Sequence, residues 1–141
     1  MPERKFTVEI ITPDKVVLKN DEIISLVVPG SQGYMGVLSH HAPLITELDI
    51  GEIDYTTFDG TQDCIAISNG FLEIYENKVT VLAESAELAC DIDVERAEKA
   101  LHRAEDRIRL HTDDIDIDRA ELAMKRAINR LHVVQKYRSL H

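Results

Sequence analysis

The last third of the chain contains the stretch DIDVERAEKALHRAEDRI (residues 91–108), and a near copy follows it, DIDIDRAELAMKRAINRL (residues 114–131). Small and apolar residues recur in both stretches every three or four positions, which is the spacing of one face of a helix. These face residues are Ala97, Ala100, Leu101, Ala104 and Ile108, and then Ala120, Ala123, Ala127, Leu131 and Val134. The two stretches are therefore predicted to form two helices.

The two predicted helices have acidic starts and a short connection. Each predicted helix begins with acidic residues, at positions 91–93 and 113–116. Their carboxylates can accept hydrogen bonds from the unpaired backbone N–H groups and are attracted to the positive end of the helix dipole. Residues 111–114 form a connection short enough to predict an antiparallel hairpin. Faces rich in alanine bury little apolar area, at ~25 cal/mol per Å², so we expect a weakly held hairpin that is suited to movement.

The first 86 residues follow a different pattern, in which short β-rich runs are separated by Gly, Pro, Asn and Asp. The predicted strands are residues 6–11, 15–18, 23–28, 52–58, 64–68, 71–75 and 78–82, and residues 19–21 and 69–70 are among the predicted turns. Strands at this density predict an antiparallel β-sandwich or flattened barrel. We therefore expect a sandwich domain at residues 1–86 and a helical hairpin at residues 87–141.

Composition argues against several classes of function. The 141 residues carry 26 acidic and 16 basic side chains, and this net charge of −10 argues against binding to nucleic acid. No signal peptide is expected, and the longest apolar run, residues 23–28, is too short to cross a bilayer, so no direct membrane insertion is expected. Cys64 and Cys90 are expected to be reduced thiols, because no second pair accompanies them.

No catalytic or metal-binding pattern is present either. Gly30, Gly33 and Gly36 lie between strand-like runs and match neither the phosphate-binding loop nor the dinucleotide fingerprint. The adjacent His40 and His41 lack a nearby third ligand and are typical of a surface turn. We expect a protein that is not an enzyme, and we rank a small-molecule hydrolase far below the functions considered next.

Four arginines are expected to meet at the end of the hairpin remote from its turn. In an antiparallel pair Arg96 falls beside Arg130, and Arg103 falls beside Arg126. Exposed like charges repel by up to about 1 kcal/mol per pair, so something negative should neutralise them. One interpretation uses neighbouring glutamates on the helix surface, namely Glu95, Glu98 and Glu105. The other is a bound polyanion such as a triphosphate, and the spacing leaves both open.

Asp93 also has two interpretations. As the residue before the first helix, it is expected to cap the helix N-terminus, and spacing alone favours this role. Its carboxylate would also suit the exocyclic amine of adenine.

The motif Ile92-Asp93-Val94-Glu95-Arg96-Ala97 resembles the nucleotide motif of epsilon subunits of bacterial F-type ATP synthases. The resemblance extends over essentially the whole chain. It includes FTVEIITPD (residues 6–14), GSQGYMGVLSHHAPLI (residues 30–45), SNGFLEIYENKVTVLAESAE (residues 68–87) and DDIDIDRAELAMKRAINRL (residues 113–131). Ser39 is a departure, since many members carry proline there, and it affects only the expected conformation of one loop.

The resemblance implies a regulatory ATP site on the folded hairpin, as in members from bacilli. The implied ATP contacts are Glu87, Ile92, Asp93, Arg96, Ala97, Arg103, Arg126 and Arg130, and a need for Mg²⁺ stays open. The second copy of the motif, at Asp116 and Arg119, lies beside the turn, and a second nucleotide site is not expected there.

The resemblance also implies a rotor-stalk subunit, peripheral on the cytoplasmic face of the bacterial membrane. Its sandwich would dock on the gamma subunit and the ring of c subunits. Its hairpin would inhibit ATP hydrolysis when extended towards the beta and alpha subunits, and ATP would favour the folded form. The alternative is the same structural subunit with a hairpin that does not sense ATP.

Overall fold

The structure, a computed structural model, describes residues 4–110 and 114–141. Within these residues seven strands precede a short 3₁₀ turn (Ala89–Asp91) and two helices, α1 (Val94–Arg109) and α2 (Asp114–Leu140). The strands are β1 (Phe6–Ile11), β2 (Val16–Gly30), β3 (Gly33–Val37), β4 (Leu44–Leu48), β5 (Gly51–Thr57), β6 (Gln62–Tyr75) and β7 (Lys78–Leu88). The predicted β-sandwich followed by two helices is confirmed. Of the predicted connection at residues 111–114, the first three residues lie outside the described residues, and Asp114 begins α2.

The strands close into a flattened barrel. β1 pairs with β2 and with β7, β7 pairs with β6, and β5 closes the ring between β6 and β2. The pairing of β1 with β7 is parallel, whereas the other described pairings are antiparallel. Alternate side chains point inward and build one apolar core, in which Ile10, Leu26 and Ile65 are fully buried.

Two predicted turns are wrong, because the strands run through them. Residues 19–21 lie within β2, and residues 69–70 lie within β6. β6 pairs with β5 over residues 62–67 and with β4 over residues 70–74, so the Asn69–Gly70 dipeptide marks a change of partner. Asn69 has a φ of 40°, a left-handed conformation that Asn tolerates better than most residues. In β2 a register shift against β1 marks a bulge between Asn20 and Ile23, whereas β6 keeps one register with β7 through residues 69–70.

Two strands were missed by the prediction. β3 contains Gly33 and Gly36, which weaken any strand pattern, and it pairs only with the end of β2. β4 has five residues and follows Pro43, so its alternation is too short to stand out from the loop before it. The segment that sequence patterns leave as one long loop is therefore two short strands.

The hairpin packs against the outer face of β6 and forms a second, smaller core. Cys64 and Ala66 of β6 contact Ala89, Ile92, Val133 and Val134, all buried. α1 buries only Ala97 and Ala104, whereas α2 contacts both β5 and β6. α2 therefore makes most of the contact with the barrel, and α1 is held mainly by α2. No helix among the described residues is long and apolar enough to cross a membrane.

The Cys64 thiol is a natural reporter of this packing. It is fully buried beneath α2 and donates to the carbonyl oxygen of Val133 at 3.5 Å. Burial raises its pKa to about 11, so little thiolate forms near neutrality. Cys90 is exposed. With iodoacetamide at pH 8 we expect Cys90 to react first and Cys64 roughly a hundredfold more slowly, through detachment of α2. Equal alkylation rates, measured by peptide mass spectrometry, would contradict this packing.

Candidate functional site

A cavity of about 560 Å³ lies where the β1–β2 turn, the end of β7, the start of α1 and the middle of α2 meet. Most of the implied ATP contacts line it: Glu87, Ile92, Asp93, Arg96, Ala97, Arg103 and Arg130. Three of them are cationic and come from two helices, so docking of the hairpin is what assembles these charges around one space. A cavity of this size is in the range of small-molecule sites in proteins.

Arg126 is the one implied contact that does not line this cavity. It lies one helical turn before Arg130 on α2 and borders an adjoining hollow against β6, together with Glu87 and Ser85. Arg126 is partly buried there. The structure thus places Arg126 beside the candidate site, on the barrel side of α2.

Within the cavity the arginines differ in their partners. Arg130 Nε donates to Glu87 Oε1 at 2.5 Å, which joins α2 to β7. Arg96 and Arg103 are exposed, and neither has a carboxylate within ion-pair distance among the residues that the structure describes. Glu95, a proposed neutralising partner, instead pairs with Lys99 at 3.2 Å. Arg96 and Arg103 therefore keep their hydrogen-bond donors for a ligand.

Asp93 caps α1, which is the role that its spacing from the helix predicts. Its Oδ1 accepts the backbone N–H of Arg96 at 3.1 Å. Ile92 and Ala97 beside it are buried, with 8% and 3% of their surface exposed. These residues give the start of α1 an apolar floor next to an exposed carboxylate. Such a surface can receive a flat ring that carries an amine.

Sequence reasoning missed the wall formed by the β1–β2 turn, which contributes Thr12, Asp14 and Lys15. The parallel pairing of β1 with β7 puts Ile11 opposite Leu82, so the residues after Ile11 lie near Glu84 and Glu87. Antiparallel neighbours would not have brought these strand ends together. The unexpected parallel pair is therefore the reason that this wall could not be predicted.

The cavity also has an acidic component. Five carboxylates line it together with Lys15 and the arginines: Asp14, Glu84, Glu87, Asp91 and Asp93. Asp93 is engaged in capping and Glu87 in the pair with Arg130. The remaining acids weaken the positive potential that an anion would meet.

A second polar cluster ties the far part of α2 to β5. Lys136 Nζ lies 2.8 Å from Asp54 Oδ2 and 3.3 Å from Glu52 Oε2, and His132 Nε2 lies 3.2 Å from Glu52 Oε1. Burial raises the pKa of Asp54, the Lys136 hydrogen bond opposes this, and Glu52 adds to it. The hydrogen bond to Asp54 raises the pKa of Lys136. Lys136 is therefore the cation that lies between the buried Glu52 and the partly buried Asp54, and it opposes the rise in the Asp54 pKa.

The chain matches two protein-family domains in the order of its two halves. Residues 5–89 match the domain described as "ATP synthase, Delta/Epsilon chain, beta-sandwich domain", and residues 91–135 match "ATP synthase, Delta/Epsilon chain, long alpha-helix domain". The two matches meet at the 3₁₀ turn, just after the end of β7.

Curated relatives have similar sequences. The chain is 52% identical over 108 residues to the ATP synthase epsilon chain of Carboxydothermus hydrogenoformans, covering 77% of this chain and 79% of the relative. It is 51% identical over 104 residues to the epsilon chain of Koribacter versatilis, covering 74% of this chain and 72% of the relative.

Solved structures share the fold at low sequence identity. A chain in the cryo-EM structure of the Euglena gracilis mitochondrial ATP synthase, OSCP/F1/c-ring, has a TM-score of 0.79 at 22% identity, covering 100% of this chain and 90% of that one. A chain of the Tetrahymena thermophila mitochondrial ATP synthase central stalk and c-ring has a TM-score of 0.58 at 13% identity, covering 96% of this chain and 98% of that one.

The sequence relatives and the two family domains agree with each other and with the barrel-plus-helices architecture. The chain therefore belongs to the ATP synthase delta/epsilon family as an epsilon subunit, a stalk component that is not itself catalytic.

Proposed function

We propose that the helical hairpin is an ATP-sensing brake on ATP hydrolysis by the synthase. In the docked form described here, ATP binds the cavity between α1, α2 and β7 and keeps the brake off. In the absence of ATP, the hairpin detaches, extends and inhibits hydrolysis. The observation that carries this proposal is that docking brings Arg96, Arg103 and Arg130 around one cavity, whereas an extended hairpin would separate them.

The energetics are adequate for such a switch. A ligand shifts a two-state equilibrium only through its different affinities for the two states. Because the three guanidinium groups converge only in the docked form, ATP would bind that form selectively. At ~100 times its dissociation constant ATP stabilises the docked form by about 2.7 kcal/mol. The arginines would grip the phosphates through paired N–H donors, and the exposed Asp93 carboxylate would accept from the adenine amine.

The proposed partners are the gamma subunit and the c-subunit ring for the barrel, and the beta and alpha subunits for the extended hairpin. The solved structures of similar fold come from an OSCP/F1/c-ring assembly and from a central stalk and c-ring assembly, which supports this placement. The barrel carries a suitable surface, on which the exposed Phe71 and Leu82 lie opposite each other on β6 and β7. With these partners the subunit would be peripheral, on the cytoplasmic face of the bacterial membrane.

One observation favours the alternative, a hairpin that brakes without sensing ATP. The carboxylates of Asp14, Glu84 and Asp91 line the cavity without an ion-pair partner among the described residues and would repel a triphosphate. In this alternative the arginines would serve contacts with neighbouring subunits alone.

The two functions differ in how inhibition responds to ATP concentration. ATP hydrolysis would be measured for the synthase assembled with the full chain and with a chain that ends at Leu88, at a series of ATP concentrations. If the proposed function is right, the full chain inhibits ATP hydrolysis at low ATP concentration, and this inhibition disappears as the ATP concentration rises. Inhibition of the same extent at every ATP concentration would favour the alternative. Equal rates for both chains at every concentration would contradict any braking role.

A further inference from the structure

We propose that Lys15, in the β1–β2 turn of the barrel, is an additional phosphate-binding residue of the cavity. This inference rests on the proposed function and extends its ligand contacts from the hairpin to the barrel. The ligand class is a nucleoside polyphosphate, and Lys15 would recognise its phosphates rather than its base.

The position of Lys15 is set by two neighbouring features of the fold. The parallel register of β1 and β7 brings Ile11, the end of β1, beside Leu82, shortly before the residues of β7 that line the cavity. The turn that follows β1 is closed on itself: Thr12 N–H donates to the Lys15 carbonyl at 2.9 Å, and Lys15 N–H donates to Thr12 Oγ1 at 3.3 Å. The backbone at Lys15 is therefore fixed at the rim of the cavity.

The side chain of Lys15 is available for a ligand. It is exposed, lines the same cavity as Arg96, Arg103 and Arg130, and has no ion pair among the described residues. Three separate elements thus supply cations to one space: the β1–β2 turn, α1 and α2. An ammonium group has donors only, and it acts as a compact point charge, which suits phosphate oxygens.

The origin of Lys15 in the barrel has a mechanical consequence. The three arginines lie on α1 and α2, so an anion held by them alone would join the two helices and would meet the barrel only at the cavity wall. An anion that also contacts Lys15 joins the hairpin to the barrel. The phosphates would then oppose detachment directly, in addition to the Arg130–Glu87 pair.

Isothermal titration calorimetry of the full chain tests this inference with ATP, AMP and adenosine as ligands. For Lys15→Gln we expect ATP affinity to fall roughly tenfold, which corresponds to about 1.4 kcal/mol, with a small change for AMP and none for adenosine. The ATP affinity of the unmodified chain should also fall more steeply with added salt than that of the variant, because the variant lacks one charge pair that salt would screen.

Two further variants make the result specific. Lys19→Gln is the matched control, since Lys19 lies on β2 shortly after Lys15 but pairs with Glu9 at 3.8 Å outside the cavity, and we expect this variant to bind ATP normally. Asp14→Asn removes a neighbouring negative charge from the cavity and should tighten ATP binding. If the unmodified chain binds no ATP, the proposed function fails. If it binds ATP and Lys15→Gln binds equally well, the inference about Lys15 is wrong and the proposed function stands.

Discussion

Replacing Arg96 and Arg130 together by alanine is expected to lower ATP affinity at least about a hundredfold. Each guanidinium would make a charge-assisted contact with phosphate that is worth about 1.5–3 kcal/mol, and every 1.4 kcal/mol corresponds to a factor of ten. The loss of Arg130 also leaves Glu87, its partner at 2.5 Å, unpaired beside the cavity, where it would repel the phosphates. The measurement is calorimetric titration of the purified chain with ATP.

The control for this double variant is Arg138→Ala. Arg138 is exposed in the last turn of α2 and does not line the cavity, so its loss changes the net charge without changing the site. We expect it to bind ATP like the unmodified chain. Thermal denaturation of each variant would separate a local effect from loss of the fold. Unchanged ATP affinity in a folded double variant would refute the assignment of these arginines.

Substituting Lys136 by methionine is expected to have the largest effect on docking of the hairpin. The change keeps the aliphatic stem but leaves Asp54 and Glu52 without their shared cation. Breaking a buried ion pair costs about 3–5 kcal/mol, and we expect about 2 kcal/mol here because Lys136 is 36% exposed. Faster alkylation of Cys64, by roughly 30-fold, is the expected readout.

Lys125→Met is the matched control for Lys136→Met. Lys125 is an exposed lysine of the same helix with no ion pair among the described residues, so alkylation of Cys64 should be unchanged. A Lys136→Met chain whose Cys64 reacts at the rate of the control would show that the cluster contributes little to docking.

The pH dependence of the Lys136→Met variant has a defined sign. Burial raises the pKa of Asp54, so the docked form binds the Asp54 proton more tightly than the open form. Docking of the variant should therefore strengthen as pH falls from 8 towards the ordinary carboxyl pKa of 3.8. In the unmodified chain Lys136 has a raised pKa, so its contribution is present below the ordinary value of 10.5 and is lost as pH rises further.

The division of the chain into a barrel and a hairpin could be predicted because each half has one strong period. Most strand positions followed from alternation, and the buried faces of the helices followed from alanines such as Ala97, Ala104 and Ala127. The long strands β2 and β6 could not be predicted as continuous, because Asn, Asp and Gly occur both in turns and inside these strands. Which of the two forms depends on a partner strand that lies far away in sequence.

The residues of the candidate site likewise include some that could be predicted from the sequence and some that could not. Arg96, Arg103 and Arg130 could be placed together because a hairpin is a local structure whose pairing follows from a short connection. Lys15 could not be placed with them, because its position depends on the parallel pairing of β1 with β7, which no local pattern encodes. The ion pair of Lys136 with Asp54 was also missed, since it joins residues 82 positions apart.

These two sets of contacts give the hairpin two different attachments to the barrel. In the docked form the Lys136 cluster and the second core hold the later part of α2. The cavity lies nearer the start of α1, where the Arg130–Glu87 pair joins α2 to β7. A ligand in the cavity would strengthen the attachment near α1, which is otherwise held mainly by α2.

The most direct test of the central claim is the rate of alkylation of Cys64 as ATP is added, in a Cys90→Ser chain at pH 8. Cys64 is covered by α2, so its rate reports the detached fraction. We expect a saturable slowing, with a midpoint at the calorimetric dissociation constant and about a hundredfold protection at ~100 times that concentration. If calorimetry shows ATP bound while the Cys64 rate stays constant, ATP does not select the docked hairpin, and the proposed switch is wrong.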